Sequence, residues 1–174
     1  LSRGLGDVYK RQLVYYKLYR KDERRVFFMI KVAVDAMGGD NAPVEMVAGA
    51  VEAVKIRPEI HVLLVGQEKV IEAELSKYTF DKERIHVVNA SEIIATEEPP
   101  VNAIRKKKDS SIVVGMNLVK SGEADAFVSA GSSGAVLVGG QVIVGRIKGV
   151  ERPPLASLIP TENGVSLLID LSLI

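Results

Sequence analysis

From residue 31 onward the chain alternates two hydrophobic patterns. Near-continuous apolar runs at 31–35, 61–65, 85–88 and 125–129 predict short strands of the kind that are covered on both faces. Between them the apolar period lengthens to that of a helix. Val44, Val47, Ala48, Val51 and Val54 fall at the i, i+3, i+4, i+7 spacing of one stripe, so a helix is predicted from residue 44. A second is predicted over 68–78, with Ile71, Leu75 and Tyr78 facing inward and Glu68, Glu72 and Glu74 in water. Pro99 and Pro100 punctuate a loop before a short polar helix. Ser110 or Ser111 then caps a further helix that carries 112–120 and stops at Gly122.

Residues 134–147 are apolar all round, which predicts a buried helix. Gly139, Gly140 and Gly145 each lower its propensity by roughly 1 kcal/mol relative to alanine, so burial has to hold it. Residues 155–159 and 165–170 read as two more strands, and the short link at 160–164 requires them to be antiparallel. The sum is an α/β chain, three layers in the order α/β/α, with a mostly parallel, mixed sheet.

The charge balance sets the first 28 residues apart, because they hold eight Lys or Arg against three Asp or Glu, whereas the remainder holds 15 against 19. LSRGLGDVYKRQ resembles translated adapter sequence, and residues 13–28 show no clean period. Residues 1–28 are therefore expected to be a non-native leader, 29–170 one α/β domain, and 171–174 an artefactual tail. A basic membrane-surface segment is the rival reading of the leader, resting on Tyr15, Tyr16 and Tyr19 among lysines. The absence of cysteine rules out disulfides, thiolate metal sites and a cysteine nucleophile, and points to a reducing cytoplasm. No apolar run is long enough for a bilayer span. Near-neutral charge after residue 28 argues against a nucleic-acid partner.

Two junctions carry the chemistry. The first strand runs into Asp35-Ala36-Met37-Gly38-Gly39-Asp40, where the glycine pair lets the backbone turn tightly and approach a ligand. Asp35 and Asp40 would repel a bare phosphate, so this loop suits hydroxyl or amide donors, a shared metal or a fixed turn, and two aspartates without a third oxygen ligand in sequence reach are weak evidence for magnesium. The second junction is Ser129-Ala130-Gly131-Ser132-Ser133-Gly134, between the fourth strand and the apolar helix. Helix N-termini present unpaired N–H groups and a positive dipole end, so Ser129, Gly131, Ser132, Ser133 and Gly134 form a candidate phosphate site. An ordinary serine cap after a glycine turn is the plainer reading of the same residues. Neither the dinucleotide fingerprint nor a P-loop is present. The basic run Arg105 to Lys108 reads as a solvated face or as a surface for an acidic partner. His61 and His86 read as structural, and no nucleophile, base and acid triad is visible.

Four blocks, DAMGGDNAP at 35–43, RKKKDSS at 105–111, ADAFVSAGSSGA at 124–135 and ERPPLASLIP at 151–160, together resemble the bacterial phosphate acyltransferase PlsX family. The resemblance implies transfer of a fatty acyl group from acyl carrier protein to inorganic phosphate, giving acyl phosphate for phospholipid synthesis. It also implies a fold like that of isocitrate and isopropylmalate dehydrogenases, a homodimer when full length, and a cytoplasmic enzyme working beside the membrane, with no cofactor. Where the family usually reads S-A-G-N-T-G-A, this chain has Ser129 to Ala135 with serines in place of the asparagine and threonine. The family's catalytic lysine and asparagine have no counterpart here and are expected downstream. On this resemblance Ser132, Ser133 and Gly134 hold phosphate, Asp35, Gly38, Gly39 and Asp40 shape the facing wall, and Lys106, Lys107, Lys108 and Arg152 receive the carrier protein. The alternatives are a nicotinamide-dependent hydroxyacid dehydrogenase on the same fold and a noncatalytic phospholigand-binding module.

Overall fold

A computed structural model describes residues 29–151, 153–162 and 164–170. The expected leader, the expected tail and Arg152 lie outside the described residues. The element order is β1 (Ile30–Asp35), α1 (Val44–Ile56), β2 (Ile60–Gly66), α2 (Glu68–Leu75), β3 (Ile85–Asn89), α3 (Pro100–Lys106), α4 (Ser111–Ser121), β4 (Ala126–Val128), α5 (Ser133–Gly139), β5 (Leu155–Thr161) and β6 (Gly164–Asp170). Strands β1 to β4 form a parallel sheet in the order β3-β2-β1-β4.

The apolar alternation of the central strands explains the layering. On one face Val34, Val62 and Leu64 pack under the stripe of α1, Val47, Val51 and Val54, together with Ile71 and Leu75 of α2. On the other face Ala33, Leu63 and Val65 meet Val114, Leu118 and Val119 of α4. Both faces of β1 and β2 are thus covered, as their unbroken apolar runs require. A third cluster joins α3, α4 and α5 through Ile104, Ile112, Met116 and Ala135. Gly122 ends α4 in the left-handed region, φ 80°, where its N–H reaches Leu118 and Val119 carbonyls.

Three expectations are revised. Helix α2 stops at Leu75, and Glu74 is buried rather than wet, because its carboxylate turns in to meet Lys77 Nζ at 2.6 Å and Tyr78 Oη at 3.5 Å. The buried helix expected over 134–147 is α5 followed by a π-helical turn, Gly140–Val144, that ends at Gly145 with φ 101°. Val142 and Ile147 in that stretch are 71% and 76% exposed, since among the described residues nothing covers them. The antiparallel pair forms, but β5 and β6 stand as a two-stranded sheet of their own, not as an extension of the parallel one.

Strand order places the functional crevice. From β1 the chain winds outward through β2 to β3 on one side, then α3 and α4 return it to β4 on the other side of β1. The loops leaving β1 and β4 therefore part company between two adjacent parallel strands. In open α/β sheets that switch point, at the carboxyl ends of the strands, is where ligands bind.

Candidate functional site

Both junctions singled out in the sequence meet at this switch point. Asp35 is the last residue of β1 and is 1% exposed. It shares the sheet face of Ala33, and its carboxylate reaches the loop after β4. Ser129, just past β4, donates its hydroxyl to Asp35 Oδ2 at 2.7 Å. Ser129 Oγ in turn accepts the Gly131 N–H at 3.0 Å, and Asp35 Oδ1 accepts the Met37 N–H at 3.1 Å. One carboxylate thereby pins both loops.

The glycines explain how the loops close so tightly. A Cβ on Gly38 would overlap Asp35 Oδ2 and lie 2.9 Å from the Gly131 nitrogen. A Cβ on Gly131 would meet the Gly38 Cα at 3.2 Å and Asp35 Oδ2 at 3.4 Å. Gly38 has no room for a Cβ, and one at Gly131 would push its neighbours by a few tenths of an ångström, so the glycines let the two backbones touch over the carboxylate. Gly39, with φ 102°, lies against Ala130 and extends the same contact. Asp40 is exposed at the mouth of the turn.

Beyond Gly131 the chain enters α5. Ser132 is its cap, buried, with Oγ accepting the Ala135 N–H at 3.3 Å. The N–H groups of Ser133 and Gly134 have no intrahelical carbonyl to reach, as in any first helical turn. Asp35 receives no hydrogen bond from them, so the neighbouring carboxylate does not plug that end. Ser133 is exposed. Gly134 also has a packing role: a Cβ there would sit 2.7 Å from Pro100 Cγ, so its open side is filled by the first residue of α3. The arrangement leaves two amides and the Ser132 and Ser133 hydroxyls around one helix start, able to surround tetrahedral oxygens. Ser129, with its hydrogen committed to Asp35, is a strut beneath them.

The basic run divides. Lys107 Nζ is held by Glu98 at 2.5 Å and the Ile93 carbonyl at 2.7 Å, and Lys108 Nζ by the Ile104 carbonyl at 3.2 Å. Arg105 and Lys106 are exposed at the C-terminal end of α3, whose N-terminal end touches Gly134. The Lys107 ammonium, and after it the Ala95 N–H, hold the Glu98 carboxyl below the usual carboxylate range. The Ser91 hydroxyl, and after it the Ser91 N–H, do the same for Asp109. These two latches fix the loop between β3 and α4, and sequence reasoning missed both. It also missed the pairing of Asp35 with Ser129, 94 residues apart, for which no local pattern exists. Among the described residues no three acidic or histidine side chains gather as metal ligands.

The profile of a family described as fatty acid synthesis protein matches residues 30–173. The chain is 55% identical over 141 residues to a phosphate acyltransferase of Alkaliphilus oremlandii, covering 81% of this chain and 42% of that protein. It is 49% identical over 142 residues to a phosphate acyltransferase of Clostridioides difficile, again covering 81% and 42%. The chain thus spans less than half the length of the curated relatives it matches. Among solved structures a phosphotransacetylase from Streptococcus pyogenes superposes with a TM-score of 0.55 at 21% identity, covering 82% of this chain and 48% of that one, a likeness of fold.

Proposed function

The chain belongs to the fatty acid synthesis protein family, and on that premise we propose that a full-length protein carrying it transfers an acyl group from acyl carrier protein to inorganic phosphate. The observation that carries the reading is the open start of α5 at the switch point, where the Ser133 and Gly134 amides and the Ser132 and Ser133 hydroxyls lie beside the β1 loop. Phosphate is itself the nucleophile in this reaction. One of its oxygens attacks the thioester carbonyl carbon, a C–O bond forms, and collapse of the tetrahedral intermediate breaks the C–S bond. The proton of hydrogen phosphate ends on the departing sulfur, and acyl phosphate remains. No covalent enzyme intermediate is needed, which suits a chain without cysteine.

These residues then contribute position and charge, holding phosphate at a fixed angle to the incoming carbonyl. The facing wall is Asp35, Gly38, Gly39 and Asp40. Groups that stabilise the oxyanion and protonate the sulfur are assigned to the part of the full-length relatives that this chain does not span. Arg105, Lys106 and Lys108, all exposed, form the surface for an acidic carrier protein, while the Lys107 ammonium is engaged by Glu98 and the Ile93 carbonyl. The full-length enzyme is read as a cytoplasmic homodimer that works at the membrane surface. Among the described residues no helix is long and apolar enough to cross a membrane.

Ser133→Ala in a full-length enzyme tests the site. Losing one hydroxyl to an anion is expected to raise the phosphate Michaelis constant about tenfold in a thioester-release assay, with the Michaelis constant for the acyl donor little changed. An unchanged phosphate constant removes Ser133 from the site.

A further inference from the structure

We propose that Asp35 is a positioning residue that never touches phosphate and acts on it through Ser129. This deepens, and rests on, the phosphate-site reading above. The carboxylate is 1% exposed and lies beneath the contact of Gly38 with Gly131, so an incoming anion meets backbone before it meets Asp35. Like charge would also oppose direct contact. What Asp35 does reach is the architecture on either side. Its Oδ1 takes the Met37 N–H and its Oδ2 takes the Ser129 hydroxyl.

The chain of bonds has a direction. Gly131 N–H donates to Ser129 Oγ, and Ser129 Oγ–H donates to Asp35. Each bond polarises the next, so a carboxylate at the end strengthens the grip on Gly131. Gly131 immediately precedes Ser132, the cap of α5, so its orientation sets where the Ser133 and Gly134 amides point. Every buried side-chain oxygen and nitrogen among the described residues is hydrogen-bonded, which leaves the carboxylate no slack to reach elsewhere. An asparagine at 35 would keep the size and the Met37 bond. It would present an N–H₂ to Ser129 and reverse that hydrogen bond, so no carboxylate would polarise the Ser129 hydroxyl and its grip on the Gly131 N–H would weaken.

The test compares wild type, Asp35→Asn, Ser129→Ala, the double variant and Ser129→Thr in a full-length enzyme. Phosphate affinity is measured by titration calorimetry, phosphate and acyl-donor Michaelis constants by thioester release, and folding by thermal melting. Asp35→Asn is expected to weaken phosphate about tenfold in both measurements and to leave the acyl-donor constant within about twofold. The double variant is expected to be no weaker than the worse single variant, because both break one chain of bonds, and Ser129→Thr to restore wild-type affinity. Additive losses in the double variant, or parallel losses for phosphate and acyl donor that track a lowered melting temperature, overturn the proposal. If Asp35→Asn does not fold, Ser129→Ala against Ser129→Thr decides: equal phosphate affinity in the two overturns it. A wild type that binds phosphate yet releases no thiol would refute the acyltransferase reading while the calorimetric comparison still judges Asp35.

Discussion

The parallel sheet and the β5–β6 hairpin are composed of much the same residues, yet the centre of one is sealed and the other is bare. Ala33, Leu64 and Val65 in β1 and β2 are inaccessible, whereas Leu158 and Leu167, which face each other across the hairpin, are 74% and 58% exposed. On that same hairpin face Ala156 pairs with Ile169 and Pro160 with Val165, giving an unbroken apolar stripe. The difference lies outside the strands. Helices α1, α2 and α4 cover the sheet because the crossovers that make strands parallel must run over its faces, but the short link from Thr161 to Gly164 has no room for a helix. An apolar strand pattern therefore specifies pairing and leaves coverage to other segments.

The largest test of that contrast is a pair of identical truncations. Leu64→Ala removes a side chain with no exposed surface and is expected to destabilise the sheet by about 3 kcal/mol, read as a fall in the urea midpoint. Leu158→Ala removes one already in water, and its cost is expected to stay within about 0.5 kcal/mol. Equal costs would mean that the hairpin is covered in solution and would break the comparison.

A smaller effect sets the pinned loops against the π-helical turn. Gly38→Ala drives a methyl into the Asp35 carboxylate and the Gly131 backbone, and overpacking of this kind is expected to cost about 1–3 kcal/mol along with phosphate binding. At Gly140 the backbone is helical, φ −56°, and a Cβ would meet nothing within 4 Å. Gly140→Ala is expected to stabilise by up to about 1 kcal/mol through propensity alone. Thermal melting of both variants reads the opposite signs, and a stabilising Gly38→Ala would show that the two loops do not close over the carboxylate.

The same contrast explains what could be read from the residues beforehand. Strand β1 and the start of α1 were visible because an apolar run and a 3.6-residue stripe are local patterns, and the Ser110 cap and Gly122 stop were visible because caps are chemistry of one residue. Both site loops were legible as loops. Their joint use was not, since Asp35 to Ser129 and Gly134 to Pro100 are contacts between distant segments that depend on β4 lying beside β1. Glu74 shows the limit in the other direction. A helical wheel puts a glutamate in water, and although Lys77 and Tyr78 lie only three and four residues on, it is the fold that shows Glu74 buried beside them. The apolar pattern of residues 134–147 predicts burial, but burial is a property of neighbours, and among the described residues none covers Val142.

Acid should loosen the sealed region locally, with the smallest expected effect. The Asp109 carboxyl is held below the ordinary aspartate value of 3.8 by the Ser91 hydroxyl and N–H. A folded-state value below the unfolded one means the stabilisation is fully present above the ordinary value and is lost as pH falls through the depressed one. Hydrogen exchange at the Ser91 amide, which donates to Asp109 at 2.9 Å, is expected to keep its protection near neutrality and to lose it once the solution is more acidic than the ordinary aspartate range. Asp109→Asn is expected to expose that amide at neutral pH and to abolish the acid dependence, while amides paired between β1 and β2 stay protected throughout. The latch lies at the surface and among the described residues no cation pairs with it, so its loss should open the loop before α4 without unfolding the sheet. If the β1 and β2 amides lost protection over the same pH range, the loop and the sheet would be one cooperative unit, and the sealed region would extend to Ser91.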